Sequence, residues 1–294
     1  MPIDLSIVIV SYNTSKMLKD CLCAIPASTS GLATEVWVVD NASPDDSVEM
    51  VRRDFPHVHC IANTDNAGFT RANNQALSQS QGRHVLILNP DTDPEPKSLT
   101  RLVEFLDTHP ETGAVGPKLL NTDGSLQHNG RRFPTPWREF LGHSGLRSLN
   151  RVHFDRDLEY GREDFDKLWE VDQVSGACMM VRKEVMDRVG MLSEDFYMYY
   201  EEVEWCWRIR KAGFNVYYVP DSRVVHHWMG SVKQVSKAMT TRMFQSALTY
   251  YQKTGTSFDV LAIRGVILMA LTKYKVIYLG VAVKRMLRKL KVIR

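Results

Sequence analysis

A corner rich in carboxylates follows one of the apolar runs of the sequence. In ILNPDTDPEP, residues 87–96, Asp91, Asp93 and Glu95 occupy alternate positions, and three prolines stiffen the segment. Asn, Asp and Pro are ordinary turn residues, so a plain loop would explain this composition equally well. A rigid carboxylate corner could instead hold Mg²⁺ or a similar cation, which takes one or two protein carboxylates and completes its shell with phosphate oxygens. We therefore predict that Asp91 is a cation ligand, whereas Asp93 either shares the ion or hydrogen-bonds the turn.

A second group of acids opens EEVEWCWRIRKAG, residues 201–213, which is predicted to be a helix ended by its final glycine. Glu202 has the i, i+3, i+4, i+7 spacing with three core-type residues, Trp205, Cys206 and Ile209. A carboxylate beside apolar surface tends to have a raised pKa, which suits proton abstraction. Acids in a first turn also stabilise a helix by themselves, and spacing does not separate Glu201 from Glu202. For Glu204 the better interpretation is an i, i+4 ion pair with Arg208.

Two adjacent histidines, His226 and His227, lie in VVHHWMGS at the end of another apolar run. Either could supply a metal ligand or contact a phosphate, although a lone histidine in such a place is more often structural. The sequence contains no GxGxxG and no GxxxxGKS/T motif, so it has neither a dinucleotide fingerprint nor a P-loop. A nucleotide phosphate would need another source of charge neutralisation, and a cation held by Asp91 would provide it.

The elements that must position these residues are read from the hydrophobic pattern. Over the first 110 residues, short β-rich apolar runs alternate with helix-like segments. The predicted strands are 5–10, 35–40, 59–63 and 84–89, and the predicted helices lie near 15–25, 45–55, 69–80 and 97–107. This alternation predicts an α/β fold with a parallel sheet covered on both faces. Ligands of such sheets bind beyond the carboxyl ends of the strands.

Polar residues follow each of these strands: Tyr12 and Asn13, then Asp40, then Asn66 and Gly68, and finally Asn89 and Asp91. Parallel strands would bring these groups to one edge of the sheet, so we predict a binding site there. Further along the chain, residues 170–185 predict a strand followed by a helix. The segments NVYYVP and RVVHHW predict two additional short strands.

Length and composition limit the classes of protein to consider. The chain has 294 residues, 44% hydrophobic and 24% charged, which is typical of one large or two smaller globular domains. A net charge of +3 gives no general case for nucleic-acid binding. Five cysteines without a CxxC pair argue against a disulfide framework and for a reducing compartment. MPIDLSIVIVSYN lacks a basic n-region and is expected to form a first strand rather than a signal peptide.

The C-terminal region has a different charge pattern. No acid follows Asp259, whereas nine Lys or Arg residues do. Lysines separate the apolar runs 265–271 and 276–283, and a lysine buried near the bilayer centre costs about 3 kcal/mol. We therefore predict that residues 260–294 lie on an anionic membrane surface without crossing it. The residues expected to meet the headgroups are Lys284, Arg285, Arg288, Lys289, Lys291 and Arg294. The alternative is a C-terminal helix packed on the rest of the protein.

Six segments, taken in order, resemble the family-2 glycosyltransferases and, within them, the rhamnosyltransferase-like branch. They are VSYN (10–13), VVDNAS (38–43), NAGFTRANN (66–74), LNPDT (88–92), EEVEWCWRIRKAG (201–213) and VVHHWMGS (224–231). The resemblance covers residue 4 to about residue 235, and six blocks in the correct order are far more specific than any one of them. This sequence departs from the family pattern at Glu202 and Glu204, which replace two aspartates, and at Met229, which replaces a glycine.

The resemblance implies a GT-A fold, which is a Rossmann-like mixed sheet flanked by helices, here with a C-terminal helical extension. Residues 1–235 would form the GT-A domain, with a nucleotide-binding half near 1–115 and an acceptor half near 116–235. Residues 236–294 would form the basic extension. The implied reaction is an inverting transfer of a sugar from a nucleotide-diphosphate donor, such as dTDP-rhamnose or a UDP-hexose, with Mg²⁺ or Mn²⁺ as cofactor. The alternative is a non-catalytic module that binds a sugar nucleotide.

The acceptor implied by the resemblance is a hydroxyl of a glycan or a lipid-linked glycan in cell-surface polysaccharide synthesis. The protein would then be cytoplasmic and peripheral on the inner face of the cytoplasmic membrane. The nucleotide-base pocket would contain Asp40, Tyr12 and Asn13. The loop beside the nucleotide would contribute Asn66, Gly68, Arg71 and Asn74. Glu202 would be the general base, and Asp91 the surviving metal carboxylate, with Asn89 where many relatives have a first aspartate. His226 would approach the metal or the diphosphate.

Overall fold

The computed structural model describes residues 2–144, 165–227 and 237–289, and beyond residue 274 it describes the backbone alone. The strands are β1 (Leu5–Ser11), β2 (Thr34–Asp40), β3 (His59–Ala62), β4 (His84–Leu88), β5 (Thr92–Pro94), β6 (Thr112–Leu120), β7 (Leu126–Gln127), β8 (Trp169–Val171), β9 (Cys178–Arg182) and β10 (Asn215–His226). The helices are α1 (Ser15–Ser28), α2 (Ser47–Asp54), α3 (Phe69–Leu77), α4 (Ser98–Thr108), α5 (Pro136–Ser144), α6 (Lys183–Val189), α7 (Glu201–Lys211), α8 (Lys237–Thr254) and α9 (Ser257–Lys289). The strands and helices predicted for the first 110 residues are confirmed, with small shifts of their ends.

The strands form one sheet in the order β3-β2-β1-β4-β9-β6-β10-β5, with β7 paired to β6 and β8 to β10. The first four strands are parallel, as predicted. β9 runs antiparallel to both β4 and β6, so the complete sheet is mixed. The alternation of strands and helices that predicted parallel strands ends before β9. The mixed sheet confirms the GT-A expectation.

β10 corrects one prediction, because the two short strands expected in NVYYVP and RVVHHW are replaced by one strand that runs from Asn215 to His226. Val219 pairs with Pro117 of β6 and Arg223 pairs with the next residue, Lys118, so three residues of β10 have no β6 partner there. Such a bulge accommodates Pro220, which has no N–H to donate to a sheet ladder. The buried Ser222 anchors the bulge, since its hydroxyl donates to the Ser98 carbonyl over 2.8 Å.

Alternate residues of the buried strands face two hydrophobic layers. In β1, Ile7 and Ile9 pack in the layer under α1, α2 and α4, whereas Val8 and Val10 pack in the layer under α3, α6 and α7. Helices therefore cover both faces of the central sheet, and its strands can be apolar throughout. The edge formed by the carboxyl ends of β1, β2 and β4 is left for polar residues.

The C-terminal helices extend the fold on one side. Tyr250 and Tyr251 of α8 and Ile263 and Val266 of α9 form a third apolar cluster with Phe196. The packed-helix alternative is therefore confirmed for the first turns of α9. Within the described residues, none of the helices is both long enough and apolar enough to span a bilayer. The basic side chains expected to meet headgroups, from Lys284 to Arg294, lie outside the described side chains, as does Met229.

Candidate functional site

A buried carboxylate marks the carboxyl end of β2. Asp40 is 2% exposed, and its Oδ2 accepts a hydrogen bond from the Ser43 N–H over 2.9 Å. Its other oxygen, Oδ1, is buried without a hydrogen-bond partner among the described residues. Buried acceptors are normally paired, so an unpaired one at the ligand-binding edge of the sheet suits a donor group on a bound molecule. The N–H of a nucleotide base is such a donor.

The loop after β1 is tied to the same corner. Asn13 adopts a left-handed conformation with φ 56°, and its N–H donates to the Ser43 hydroxyl over 2.9 Å. Tyr12, which precedes it, is 52% exposed, so its ring is available to a planar ligand. The structure thus brings together the three residues predicted for a base pocket, Tyr12, Asn13 and Asp40.

An amide network that the sequence did not reveal supports this pocket. The Asn63 side chain donates to Oδ1 of Asn41 and to Oε1 of Gln75, each over 3.0 Å. Asn41 in turn donates to the carbonyl of Gly68 over 3.1 Å. The network joins the ends of β2 and β3 to the first turn of α3. Its members are distant in sequence, and only the repeated Asn residues after the strands hinted at it.

Gly68 allows two loops to approach closely. Its φ is +85°, and a Cβ added there would lie 2.7 Å from Cδ2 of Tyr197. Asn66 supports the contact, because its Oδ1 accepts from the Gly68 N–H at 3.1 Å and from the Tyr197 hydroxyl at 2.8 Å. These two predicted donor-site residues therefore shape the loop beside the pocket, against a tyrosine that the sequence did not single out.

Asn74 and Arg71, both on α3, face the loop before α7. Asn74 is buried and donates to the Leu192 carbonyl over 2.9 Å. Nε of Arg71 lies 3.4 Å from Oε2 of Glu194, and both side chains are more than half exposed. Asn74 thus anchors the loop to α3. Because its Oδ1 has no partner within the described residues, it also keeps one acceptor for a ligand.

The predicted cation corner connects β4 with β5. The Asn89 N–H donates to the Ala177 carbonyl over 2.9 Å, and the Thr92 hydroxyl donates to the Asn89 carbonyl over 2.7 Å. Asp91 is 8% exposed, and its Oδ1 lies 3.3 Å from Nε2 of His226. The His227 N–H donates to the Asp91 carbonyl over 2.9 Å, which holds the end of β10 against the corner. The structure brings Asp91 and His226 together as predicted.

Gln127 fixes the orientation of the His226 ring. Its Nε2 donates to the His226 carbonyl at 3.1 Å and to the Asn121 side chain at 2.8 Å, so its Oε1 is the acceptor that faces Nδ1 of His226, 2.7 Å away. Nδ1 therefore carries the proton, as in metal-bound histidines whose second nitrogen donates to an acceptor. Nε2 and the Asp91 carboxylate then face the same space.

These two groups fit a divalent cation that is shared with a nucleotide. No cluster of three or more His, Cys, Asp or Glu suited to a metal is found in the part of the chain that is described. Mg²⁺ needs only one or two protein ligands when phosphate oxygens complete its shell, so Asp91 and His226 are sufficient. Asp93 is exposed on β5, whereas its neighbours Thr92 and Pro94 are buried, so its side chain projects to the other side of the strand. Its role as a ligand stays a prediction.

Glu202 lies in the first turn of α7 above Gly176, where an added Cβ would be 3.6–3.8 Å from the Glu202 side chain. Burial raises the pKa of Glu202, while backbone N–H groups, including that of Gly176, and the charge of Arg131 lower it. Its Oε2 is buried without a partner among the described residues. A desolvated carboxylate with a free oxygen and a raised pKa is suited to accept a proton.

Glu201 is also buried, and burial, followed by the nearby Glu202, raises its pKa well above the usual range. The two acids follow Tyr199 and Tyr200, which have the unusual φ values of 71° and 68°. Bulky residues in the left-handed region are strained, and such strain is often found at functional sites. Tyr200 is held by a short hydrogen bond from its hydroxyl to Glu139 of α5.

Glu204 has the structural role predicted for it. Its carboxylate is buried, and both oxygens accept from Nε of Arg208 at 2.9 Å. Arg208 also donates to the Met191 carbonyl over 2.7 Å, so the pair fastens α7 to the loop after α6. Neither group is free to take part in catalysis.

Arg131 is a residue of the site that the sequence did not single out. Its N–H donates to the Gln173 carbonyl at 3.0 Å, and the Gln173 N–H donates back to the Arg131 carbonyl at 3.1 Å. The exposed guanidinium carries its charge close enough to Glu202 to lower the pKa of that carboxyl. The only signal in the sequence was the arginine pair in the turn-rich segment NGRRF.

Comparison with known proteins shows the family to which the chain belongs. Residues 6–190 match the family described as Glycosyl transferase family 2. The chain is 27% identical over 238 residues to the N-acetylglucosaminyl-diphospho-decaprenol L-rhamnosyltransferase of Mycobacterium tuberculosis, covering 76% of each chain. It is 32% identical over 219 residues to the low-salt glycan biosynthesis hexosyltransferase Agl10 of Haloferax volcanii, covering 72% of this chain and 64% of that protein. It is 27% identical over 222 residues to the dTDP-rhamnosyl transferase RfbF of Shigella flexneri, covering 74% of this chain and 67% of that protein.

Two solved structures show the same fold. GalNAc-T7 with UDP, GalNAc and Mn²⁺ superposes with a TM-score of 0.64 at 15% identity, covering 85% of this chain and 48% of that one. The mannosyltransferase PcManGT of Pyrobaculum calidifontis, in complex with GDP-Man and Mn²⁺, superposes with a TM-score of 0.59 at 18% identity, covering 100% and 82%. The expected GT-A architecture is confirmed. The chain therefore belongs to glycosyl transferase family 2, in its rhamnosyltransferase-like branch, and is a glycosyltransferase.

Proposed function

We propose that this glycosyltransferase moves a sugar, with inversion, from a nucleotide-diphosphate donor to a hydroxyl of a glycan or lipid-linked acceptor. The proposal rests on one structural connection between the cation corner and the candidate base. The Asn89 N–H binds the Ala177 carbonyl at 2.9 Å, and Gly176 lies directly under Glu202. A backbone hydrogen bond therefore joins the segment that carries Asp91 to the segment that lies under the candidate base. A transferase needs this proximity, because the donor diphosphate and the attacking hydroxyl meet at one carbon atom.

The residues divide the chemistry between them. Asp91 and His226 would hold a divalent cation, which when bound neutralises negative charge on the leaving diphosphate. Glu202 takes the proton from the acceptor hydroxyl, and its burial makes it more basic than an exposed carboxylate. Attack by the hydroxyl on the side opposite the leaving group inverts the anomeric carbon. Glu202 is one methylene longer than the aspartate of the family pattern, and its contact with Gly176 accommodates that length.

The base pocket supports a pyrimidine nucleotide, as in dTDP-rhamnose or a UDP-hexose. Asp40 offers one unpaired buried acceptor oxygen, and a thymine or uracil presents one ring N–H as its complement. The exposed Tyr12 can stack on the base. The similarity to RfbF of Shigella flexneri, named a dTDP-rhamnosyl transferase, supports the same donor class.

The place of action that we propose is the inner face of the cytoplasmic membrane, in cell-surface polysaccharide synthesis. The relative in Mycobacterium tuberculosis is named for a lipid-linked substrate, a diphospho-decaprenol. In this chain residues 260–294 contain nine basic residues and no acid, which favours contact with anionic headgroups. Each basic residue near such a surface contributes about 1 kcal/mol.

A donor panel tests the proposal directly. The full-length protein is incubated with Mg²⁺ or Mn²⁺ and with dTDP-rhamnose, UDP-glucose, UDP-N-acetylglucosamine or GDP-mannose, and release of nucleoside diphosphate is measured. We expect cation-dependent turnover with one pyrimidine donor, and NMR of the transferred sugar should show an inverted anomeric configuration. Tight nucleotide binding without turnover of any donor would favour the alternative, a non-catalytic sugar-nucleotide-binding module.

A further inference from the structure

Exposed apolar side chains are concentrated on α9. Within the described residues, nine large hydrophobic side chains are exposed, and five of them belong to this helix. Phe258, Leu261 and Leu268 are 75%, 67% and 68% exposed, and Leu271 and Tyr274 are 38% and 37% exposed. Exposed leucines are ordinary when they are scattered, but a concentration on one element indicates an interaction surface.

The most exposed of these residues lie on one side of α9. At 100° per residue, Phe258, Leu261 and Leu268 fall within about 80° of one another around the helix axis. The opposite side carries Ile263 and Val266, which pack in the third apolar cluster. We call the outward side, defined by Phe258, Leu261, Leu268 and Leu271, the α9 outer face. A helix at the surface of a soluble domain normally has a predominantly polar outer side, whereas large apolar side chains occupy much of this one.

The charge around the α9 outer face is positive. Arg264 is exposed between Leu261 and Leu268, whereas Asp259, the last acid of the chain, accepts hydrogen bonds from Thr256 at the helix start. Seven Lys or Arg residues and no acid follow Tyr274 in the sequence. A second copy of this chain would bring like charges together on such a face, whereas an anionic lipid surface is complementary to it in both hydrophobicity and charge.

α9, which carries this face, is connected through α5 to the start of the helix that bears the candidate base. Lys273 of α9 donates to the His143 carbonyl of α5 over 3.0 Å, and Phe140 of α5 packs on the third apolar cluster. At the other end of this connection, Glu139 of α5 accepts the hydrogen bond from Tyr200, two residues before Glu202. α5 therefore contacts both α9 and the residue that precedes the candidate base by two positions. Trp137 of α5 is itself 59% exposed and stacks on Phe140, with ring centroids 5.4 Å apart.

We propose that the α9 outer face docks in the interface of an anionic bilayer and thereby brings a lipid-linked acceptor to Glu202. This inference rests on the proposed transferase function. It assigns the membrane contact to apolar side chains of a folded helix that packs on the domain, in addition to the basic residues at the C-terminal end. Apolar insertion sets the depth of the helix, and the basic residues select anionic lipid. Trp137 would add an interfacial aromatic anchor on the neighbouring helix.

The test compares two charge substitutions at exposed leucines. Leu261→Glu combined with Leu268→Glu places acids on the α9 outer face, and the matched control, Leu168→Glu, makes the same change at a 47% exposed leucine before β8. Full-length proteins are floated with vesicles of phosphatidylcholine containing phosphatidylglycerol. Transfer is assayed to a vesicle-borne polyprenyl-diphosphate acceptor and to a water-soluble analogue with a short alkyl chain, and donor hydrolysis is measured without vesicles.

We expect two quantities to fall at least about tenfold in the double variant: its affinity for vesicles and its rate of sugar transfer to the vesicle-borne acceptor. A tenfold change in affinity corresponds to about 1.4 kcal/mol. Donor hydrolysis and transfer to the soluble analogue should remain at wild-type levels, as should every activity of the Leu168→Glu control. The proposal would be overturned if the double variant bound vesicles as strongly as the wild-type protein does. It would also be overturned if the wild-type protein were a dimer in solution and the two substitutions dissociated it. A wild-type protein that binds vesicles through this face but turns over no donor would instead refute the transferase function while the docking surface stands.

Discussion

His226 donates a hydrogen bond from Nδ1 to Oε1 of Gln127 over 2.7 Å, and its Nε2 lies 3.3 Å from the carboxylate of Asp91. The ring is therefore oriented by a residue that would not touch the cation. Gln127→Leu should weaken Mn²⁺ binding in the presence of nucleoside diphosphate by roughly 10- to 100-fold, since losing a partner of a metal-bound histidine has an effect of this size. Electron paramagnetic resonance of free Mn²⁺ measures it without turnover. Gln127→Glu, which keeps an acceptor oxygen, should bind nearly as the wild type does, and equal losses in both variants would contradict the orienting role.

Asp91 and Asp93 are predicted to differ in their effect on donor binding. Asp91→Ala removes the buried carboxylate beside His226, so calorimetry should show no difference in donor affinity between Mn²⁺ and EDTA. Asp93→Ala is the matched control at an exposed position. If the cation dependence survives in Asp91→Ala and disappears in Asp93→Ala, then the two carboxylates have the reverse roles.

Glu202→Gln is expected to separate binding from chemistry. The amide has nearly the shape of the carboxylate but cannot take a proton, so kcat should fall by about 10³-fold while donor affinity is retained. Glu201→Gln provides the comparison, because that acid is also buried with a raised pKa. A near-normal kcat in Glu202→Gln together with a large loss in Glu201→Gln would assign the base to Glu201.

Arg131 is expected to shift the pH dependence of the reaction. Glu202 must be ionised to act as a base, so activity falls as the pH decreases through its pKa. The charge of Arg131 lowers the pKa of Glu202, and Arg131→Met should therefore move the acidic limb of kcat/KM to higher pH. Arg131→Lys keeps the charge and should move it less. A limb that stays in place, or that moves to lower pH, would contradict the coupling of these two residues.

The ion pair of Glu204 with Arg208 is predicted to stabilise the fold rather than the reaction. Glu204→Ala leaves the arginine without its buried partner, and the free energy of unfolding should fall by about 3 kcal/mol. Arg210 on the same helix pairs with Glu170 at a more exposed position, and Arg210→Ala should change stability by less than about 1 kcal/mol. Urea unfolding measures both. Similar small losses in the two variants would show that the buried pair contributes no more than the exposed one.

Local patterns predicted most of the first half of the fold. The apolar run of β1 and the turn residues after β2 and β4 are signals within a few neighbouring positions, and the structure has the strands where these signals place them. The position of β9 depends on which strand it pairs with across the sheet, and no local period contains that information. The same reason explains why one strand, β10, was predicted as two, since Pro220 looked like an end when read without its partner β6.

The site residues show the same difference between signals that are local in the sequence and signals that depend on distant partners. Asp40, Asp91 and Glu202 stand out because acids at the end of an apolar run or on an apolar helix face are unusual in themselves. Gln127, Arg131 and Tyr197 do not, because each acts on a residue at least 70 positions away or on a loop from another part of the chain. A polar residue in a turn-rich segment has an ordinary appearance until its distant partner is known. The choice between Glu201 and Glu202 also required a neighbour, Gly176, that only the folded chain supplies.

The bulge in β10 determines which side chains of the strand face the cation corner. After the three residues without a β6 partner, the strand resumes its alternation, with Val225 opposite Asp93 and His226 opposite Thr92. Val219 and Val224 are five residues apart yet pack in the same hydrophobic layer, so the bulge reverses the alternation of side chains along β10. In an unbroken strand, residues five apart face opposite sides, and Val225 would then take the side on which His226 lies. The bulge therefore decides which residue of β10 faces the cation corner, although none of its own residues is expected to contact the cation.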